Sequence, residues 1–260
     1  MKSAYLFIFT ATAILLPCTV FSKTISVPFT SQAPFMDWRE PWQNACEESS
    51  IAMVDMYYRG KTFTPTIARQ EILHSLKLKQ SLFGWSLDED AEKMVTVINN
   101  FYQWEASIVR QPTLDMIKKE LDANRPIIAL VHGKALKNPY FLSGGPDYHV
   151  LVLSGYDDDR AQFITQEPGT RRGLDFRYSY DTIMGALHDF VPGKRAIYGE
   201  PTVLFTSPFV RISGGTDGDR DGLSKADELR YGSIIWLKDS DGDGVSDGDE
   251  VAQGRSPTKR

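Results

Sequence analysis

The stretch YHVLVLSGYDDDRAQFITQEPG, residues 148–169, decides how this chain folds. Two short apolar runs, YHVLVLSGY and AQFITQ, flank an acidic turn at Asp157, Asp158 and Asp159. Runs of that length bounded by turn residues mark buried strands. IIALV at residues 127–131 reads the same way, and YGEPTVLF from Tyr198 supplies a further strand. Before Pro126 the texture is different. There, apolar spacing and capping signals predict helices over residues 45–58, 66–76, 88–102 and 113–123. Helices first and strands afterwards give an α+β domain rather than a repeating βαβ unit.

A hairpin folded about Asp158 places His149 opposite Glu167, so a carboxylate would hold the imidazole in one tautomer. A slip of one residue turns the face over and offers Gln166 instead. The nucleophile for such a histidine stands in QNACEESSIAMVDMYY, which begins at Gln43. Asn44 and Glu47 form a capping-box pattern, and Gly60 is placed to end the helix. Cys46 then becomes the second helical residue. The unpartnered N–H groups and dipole of a helix start favour a thiolate there. Glu47 and Glu48 act against it, as like charges. Ser86 and Glu89 form a second capping box. Of the other histidines, His74 lies at helical spacing, and His132 and His188 are candidates for the cleft.

The chain has 260 residues, 42% of them hydrophobic, and a net charge of −5, which offers no basic surface for nucleic acid. Residues 1–22 read as an export signal: Lys2, an apolar run from Ala4, then Val20 and Ser22 as small residues before a cleavage site. Cleavage after Ser22 removes Cys18 and leaves Cys46 as a lone thiol. A secreted, periplasmic or cell-surface location is expected, as a monomer.

The stretches VPFTSQAPFMDW, QNACEESSIAMV, KNPYF, DYHVLVLSGYD and ITQEPGTRRG resemble the papain-like bacterial cysteine peptidases related to the bacteriocin-processing, double-glycine leader peptidase family. The resemblance spans residues 26 to about 190. It implies a papain-like fold with Cys46 as nucleophile, His149 as general base and acid, and the residue before Pro168 as the orienting third member. Relatives usually carry Asp-Pro-Gly-Thr where this chain reads Glu167-Pro168-Gly169-Thr170, one methylene longer. Gln166 is the alternative, through its amide. The resemblance also implies a glutamine that donates into the oxyanion hole, with Gln32 the first choice and Gln43 the second.

Residues 211–260 form a distinct, Asp- and Gly-rich module after a domain spanning residues 23–210. DGDRDGLSKADE begins at Asp217 and DSDGDGVSDGDE at Asp239, 22 residues apart. Each places oxygens at loop positions 1, 3 and 5, a glycine at 6 and a glutamate at 12, the spacing that wraps Ca²⁺. The expected ligands are Asp217, Asp219, Asp221, the Leu223 carbonyl and Glu228, then Asp239, Asp241, Asp243, the Val245 carbonyl, Asp247 and Glu250. Position 9 of the first loop is Lys225. Ca²⁺ is expected to be structural, with no cofactor for catalysis. The module resembles thrombospondin type 3 repeats. A dockerin-like pair, which would imply a scaffold or cell-surface partner, is the runner-up.

Together these readings point to an exported thiol hydrolase acting on peptides or proteins. The alternatives are a non-catalytic peptide-binding protein on the same fold and an acyltransferase using the same residues.

Overall fold

In a computed structural model, the structure describes residues 22–192, 198–208 and 217–259. The expected export signal lies outside these residues except for Ser22. Among the described residues no helix is long and apolar enough to cross a membrane.

The architecture is α+β. Three helices, α1 (Cys46–Tyr58), α2 (Pro65–Phe83) and α3 (Ala91–Phe101), precede most of the strands. A seven-stranded sheet follows from β1 (Ser22–Thr24), β2 (Trp104–Arg110), β3 (Ile127–Val131), β4 (His149–Asp157), β5 (Gln162–Gln166), β6 (Phe176–Ser179) and β7 (Thr202–Pro208). The order is β2-β7-β3-β4-β5-β6, with β1 also paired to β4, and every pair is antiparallel. Helices α4 (Leu114–Asp122) and α5 (Tyr180–Ala186) join these strands.

The chemistry of each element explains its place. All of β3 and β4 is buried, as expected of unbroken apolar runs in central strands. Helix α1 is buried from Cys46 through Met56, between α2 and β4. It therefore lacks a polar face and carries Glu47, Glu48 and Asp55 into the interior. Gly60 ends it at φ 62°, as the sequence suggests. The helices predicted at 66–76, 88–102 and 113–123 are found at Pro65–Phe83, Ala91–Phe101 and Leu114–Asp122. Asp90, rather than Ser86, caps α3 by accepting from the Lys93 N–H at 2.9 Å. Ser86 and Glu89 do touch through their side chains, but upstream of the helix.

Three further strands carry no clear signal in the sequence. β1, β2 and β6 are short or polar on alternate residues, and they become strands because a partner edge is waiting.

Candidate active site

Because α1 packs along β4, its first residue comes near the start of that strand. Cys46 and His149 line one cleft of about 700 Å³, together with Gln32, Trp38, Asp88, Phe141 and Arg171. Neither His132 nor His188 lines it. The His132 ring faces Asp147, and His188 Nδ1 meets the Gly199 carbonyl.

The local route to Cys46 differs from the expected capping box. Glu40 Oε1 accepts from Gln43 Nε2 at 2.7 Å and from Asn44 Nδ2 at 2.5 Å, so the Asn44 amide is held upstream. Ala45 takes the cap position without a side-chain bond, and Cys46 is the first helical residue rather than the second. Its N–H still has no partner within the helix.

Glu47 turns inward rather than back over the helix end. Its Oε1 accepts the Glu89 N–H at 3.0 Å, and its Oε2 accepts the Cys46 thiol at 3.0 Å. Around it lie Glu48, paired to Lys79 at 2.7 Å, Glu89, paired to Lys93 at 2.8 Å, and Asp88. Burial, reinforced by Glu48 and Asp88, pushes Glu47 up to about 8. Burial, then the Glu47 charge, holds the Cys46 thiol well above its ordinary range.

That carboxyl makes a pH prediction. Glu47 stays protonated in the folded chain up to about 8, whereas an ordinary glutamate ionises at 4.5. Its contribution to stability is therefore complete below 4.5 and is lost as pH rises through 8. Glu47→Gln keeps an acceptor for the Glu89 N–H and removes the proton. Melting temperatures from pH 5 to 8 should fall more steeply for wild type than for the variant, and parallel curves would remove Glu47 as the cause.

His149 and Glu167 are brought together, by a register other than the expected one. The hairpin pairs Tyr156 with Phe163 and Gly155 with Ile164, shifts at Ser154, then pairs Leu153 with Thr165 and Val152 with Gln166. The turn is longer than one centred on Asp158, and continuing the ladder would set residue 167 opposite Leu151. Residues 149 and 151 share a face, so His149 meets Glu167 diagonally. The Nε2–Oε1 distance is 2.5 Å, with both side chains buried.

Glu167 is held from several sides. Oε1 also accepts the Gly169 N–H at 2.8 Å, and Oε2 accepts the Tyr178 hydroxyl at 2.9 Å. Tyr178 in turn accepts from Asn138 Nδ2 at 2.7 Å. The loop folds back so tightly that a Cβ on Gly173 would lie 1.8 Å from the Glu167 carbonyl oxygen, so only glycine fits there. Gln166 points elsewhere: its amide bonds Asp175 and Ser154, and it does not meet His149.

Gln32 lines the cleft beside Cys46, but its Nε2 donates to the carbonyls of Trp42 and Gln43, each at 2.9 Å. Gln43 also lines the cleft and donates to Glu40. The sequence reading missed Tyr178 and Asn138, although KNPYF contains the latter. It also missed the depth of the acidic cluster, whose one local signal is EE at a helix start followed by a buried run.

The tail holds two acidic loops, each leading into a short helix, α6 (Lys225–Tyr231) and α7 (Asp247–Ala252). Asp217, Asp219 and Asp221 bring one oxygen each within 4.8 Å of one another, and so do Asp239, Asp241 and Asp243. Glu228 is fully buried with neither oxygen hydrogen-bonded, and Glu250 Oε2 is likewise without a partner. Burial, with Asp219 and Asp221 beside it, pushes Glu228 up to about 8. An all-oxygen set around orphaned buried carboxylates fits a hard divalent cation. The Leu223 and Val245 N–H groups bond Asp221 and Asp243 and so set the seventh positions. Asp247 departs from expectation. As the first residue of α7 it folds back on Ser240, whose N–H and hydroxyl occupy both its oxygens at 2.8 and 2.6 Å.

The Peptidase_C39 like family model matches residues 24–190. Among solved structures, a candidate C39-like peptidase from Bacillus anthracis is 16% identical, with a TM-score of 0.46, covering 75% of this chain and 99% of its own. No curated protein matches the chain.

Proposed function

The chain belongs to the Peptidase_C39 like family, and on that premise we propose that it is a cysteine peptidase whose working groups are Cys46, His149 and Glu167. The observation that carries this reading is the buried His149–Glu167 pair, whose imidazole lines the same cleft as Cys46. With Nε2 facing the carboxylate, His149 keeps Nδ1 for the sulfur. The thiol leaves Glu47, gives its proton to Nδ1, and the thiolate attacks a peptide carbonyl carbon. The Cys46 N–H at the helix start steadies the oxyanion, with Gln32 as second donor once its amide turns from the 42–43 carbonyls. The imidazolium then protonates the departing amine, and water attacking the thioester releases the acid and restores the thiol. Acyl transfer to an amine would use the same groups.

Export with cleavage after Ser22 and a Ca²⁺-loaded tail complete the proposal. Such a tail would stabilise or localise the enzyme, and a peptide or protein is the substrate.

A second reading has its own observation. The thiol donates to Glu47, and burial beside that carboxylate holds it protonated, which suits a peptide binder without catalysis. A peptidyl electrophile separates the two. A peptidase should form one covalent adduct, mapped by mass spectrometry to Cys46, at neutral pH. If Cys46 reacts only at alkaline pH, with the profile of a free thiol at about pH 8.5 or beyond it, the binder stands.

A further inference from the structure

Helix α3 ends without a basic residue in its last turn. Its final carbonyls lack helical partners and carry the negative end of the dipole. The Ile98 carbonyl is taken by the Tyr102 N–H at 3.0 Å. The next carbonyl meets a cation from far along the chain: Lys225 Nζ donates to the Asn99 carbonyl at 3.3 Å and to the Trp104 carbonyl at 3.2 Å. Lys225 is 1% exposed, which is rare for lysine unless its ammonium is well coordinated.

The surroundings are fitted to receive it. The Asn99 side chain bridges to β2, donating to the Ala106 carbonyl at 3.0 Å and accepting the Ala106 N–H at 2.8 Å. This fixes the Asn99 and Trp104 carbonyls on either side of the α3–β2 turn. Beside them the tail backbone comes close: a Cβ on Gly218 would stand 2.7 Å from the Asn100 carbonyl oxygen. The Trp236 ring from the tail lies 4.7 Å from that of His74 on α2.

We propose that the α3–β2 turn is a docking site for the acidic tail, entered by Lys225, through which a cation in the first loop stabilises the peptidase domain. This rests on the calcium reading above. Lys225 stands at position 9 of the first loop, where the second loop has an aspartate, so the loop gives up a ligand position for an anchor. It opens α6, and Glu228 lies one turn later on the same helix, adjacent at i,i+3. Closing Glu228 onto a cation would fix α6 and hold Lys225 in its seat. The tail would then act as a ligand of the folded domain, stabilising it by linkage.

Hydrogen exchange of the full chain, with and without Ca²⁺, tests this in wild type, Lys225→Met and Lys225→Arg. In wild type, Ca²⁺ should slow exchange in α6 and α7 and also across residues 99–110, there by ten-fold or more. In Lys225→Met the α6 and α7 response should persist and the 99–110 response should vanish, with β3 and β4 protected as before. Lys225→Arg should keep part of it. No response in α6 or α7 overturns the calcium reading and the coupling with it. A response in α6 and α7 with none at 99–110 in wild type overturns the docking inference alone, as does an unchanged 99–110 response in Lys225→Met.

Discussion

Replacing Cys46 by Ala, or His149 by Ala, is expected to lower peptide hydrolysis by roughly 10⁴-fold or more, and the double variant should be no worse than either single one. The reason is that the proposed groups act as a unit. Without the sulfur there is no acyl-enzyme to form, and without the imidazole the thiol cannot lose its proton at neutral pH. The second loss is sharpened by the setting of Cys46. Its thiol is pushed upward by burial and by Glu47, so spontaneous ionisation offers little. His149→Ala should therefore leave an alkylation profile displaced to alkaline pH. The expected kinetic result is a collapse of kcat with KM little changed, since neither side chain is the main wall of the cleft. Cys46→Ala keeps the packing of a small buried residue, so circular dichroism should match wild type. Wild-type turnover in Cys46→Ala, with the fold intact, would end the peptidase proposal.

Chelating the proposed calcium is expected to give the second large effect. With the cation removed, Asp217, Asp219 and Asp221 keep oxygens within 4.8 Å of one another, as do Asp239, Asp241 and Asp243, with the unpartnered Glu228 oxygens and Glu250 Oε2 buried nearby. Such a module folds around its ion. Residues 217–259 should become a preferred site of limited proteolysis in the chelated protein and resist it in millimolar Ca²⁺. Calorimetric titration should find two ions per chain. Glu228→Ala and Glu250→Ala should each remove one high-affinity ion, weakening that loop on the order of 10²-fold, within the range that ligand charge spans. A chain that binds no calcium and is cut equally in both conditions would remove the cation from the proposal. The peptidase reading would be untouched, because nothing in the cleft depends on the tail's ligands.

Much of the fold was legible because its strongest signals are local. IIALV and the VLVL at the centre of HVLVLSGY are unbroken apolar runs, and their shortness between turn residues suits a strand buried on both faces. Gly60 closes α1 where its left-handed φ is needed. Cys46 before an apolar helix and His149 before a strand were readable for the same reason. The errors share a different cause, which is competition from groups distant in sequence or hidden in a loop. Asn44 did not cap α1 because the Glu40 carboxylate captured its amide. Glu47 left the capping box for the Glu89 N–H, 42 residues away. The hairpin register moved because a bulge at Ser154 and a longer turn intervene, neither of which alternation alone reveals.

By itself, then, the sequence determined an α+β chain with a cysteine at a helix start, a histidine opening a strand and two cation-loop patterns, since each follows from neighbours along the backbone. Only the tertiary structure decided that Glu167 rather than Gln166 reaches His149, that Glu47 faces the sulfur, and that Lys225 sits in the carbonyls of α3 and β2. These are choices among partners brought together by packing, and a buried polar group takes whichever partner satisfies it.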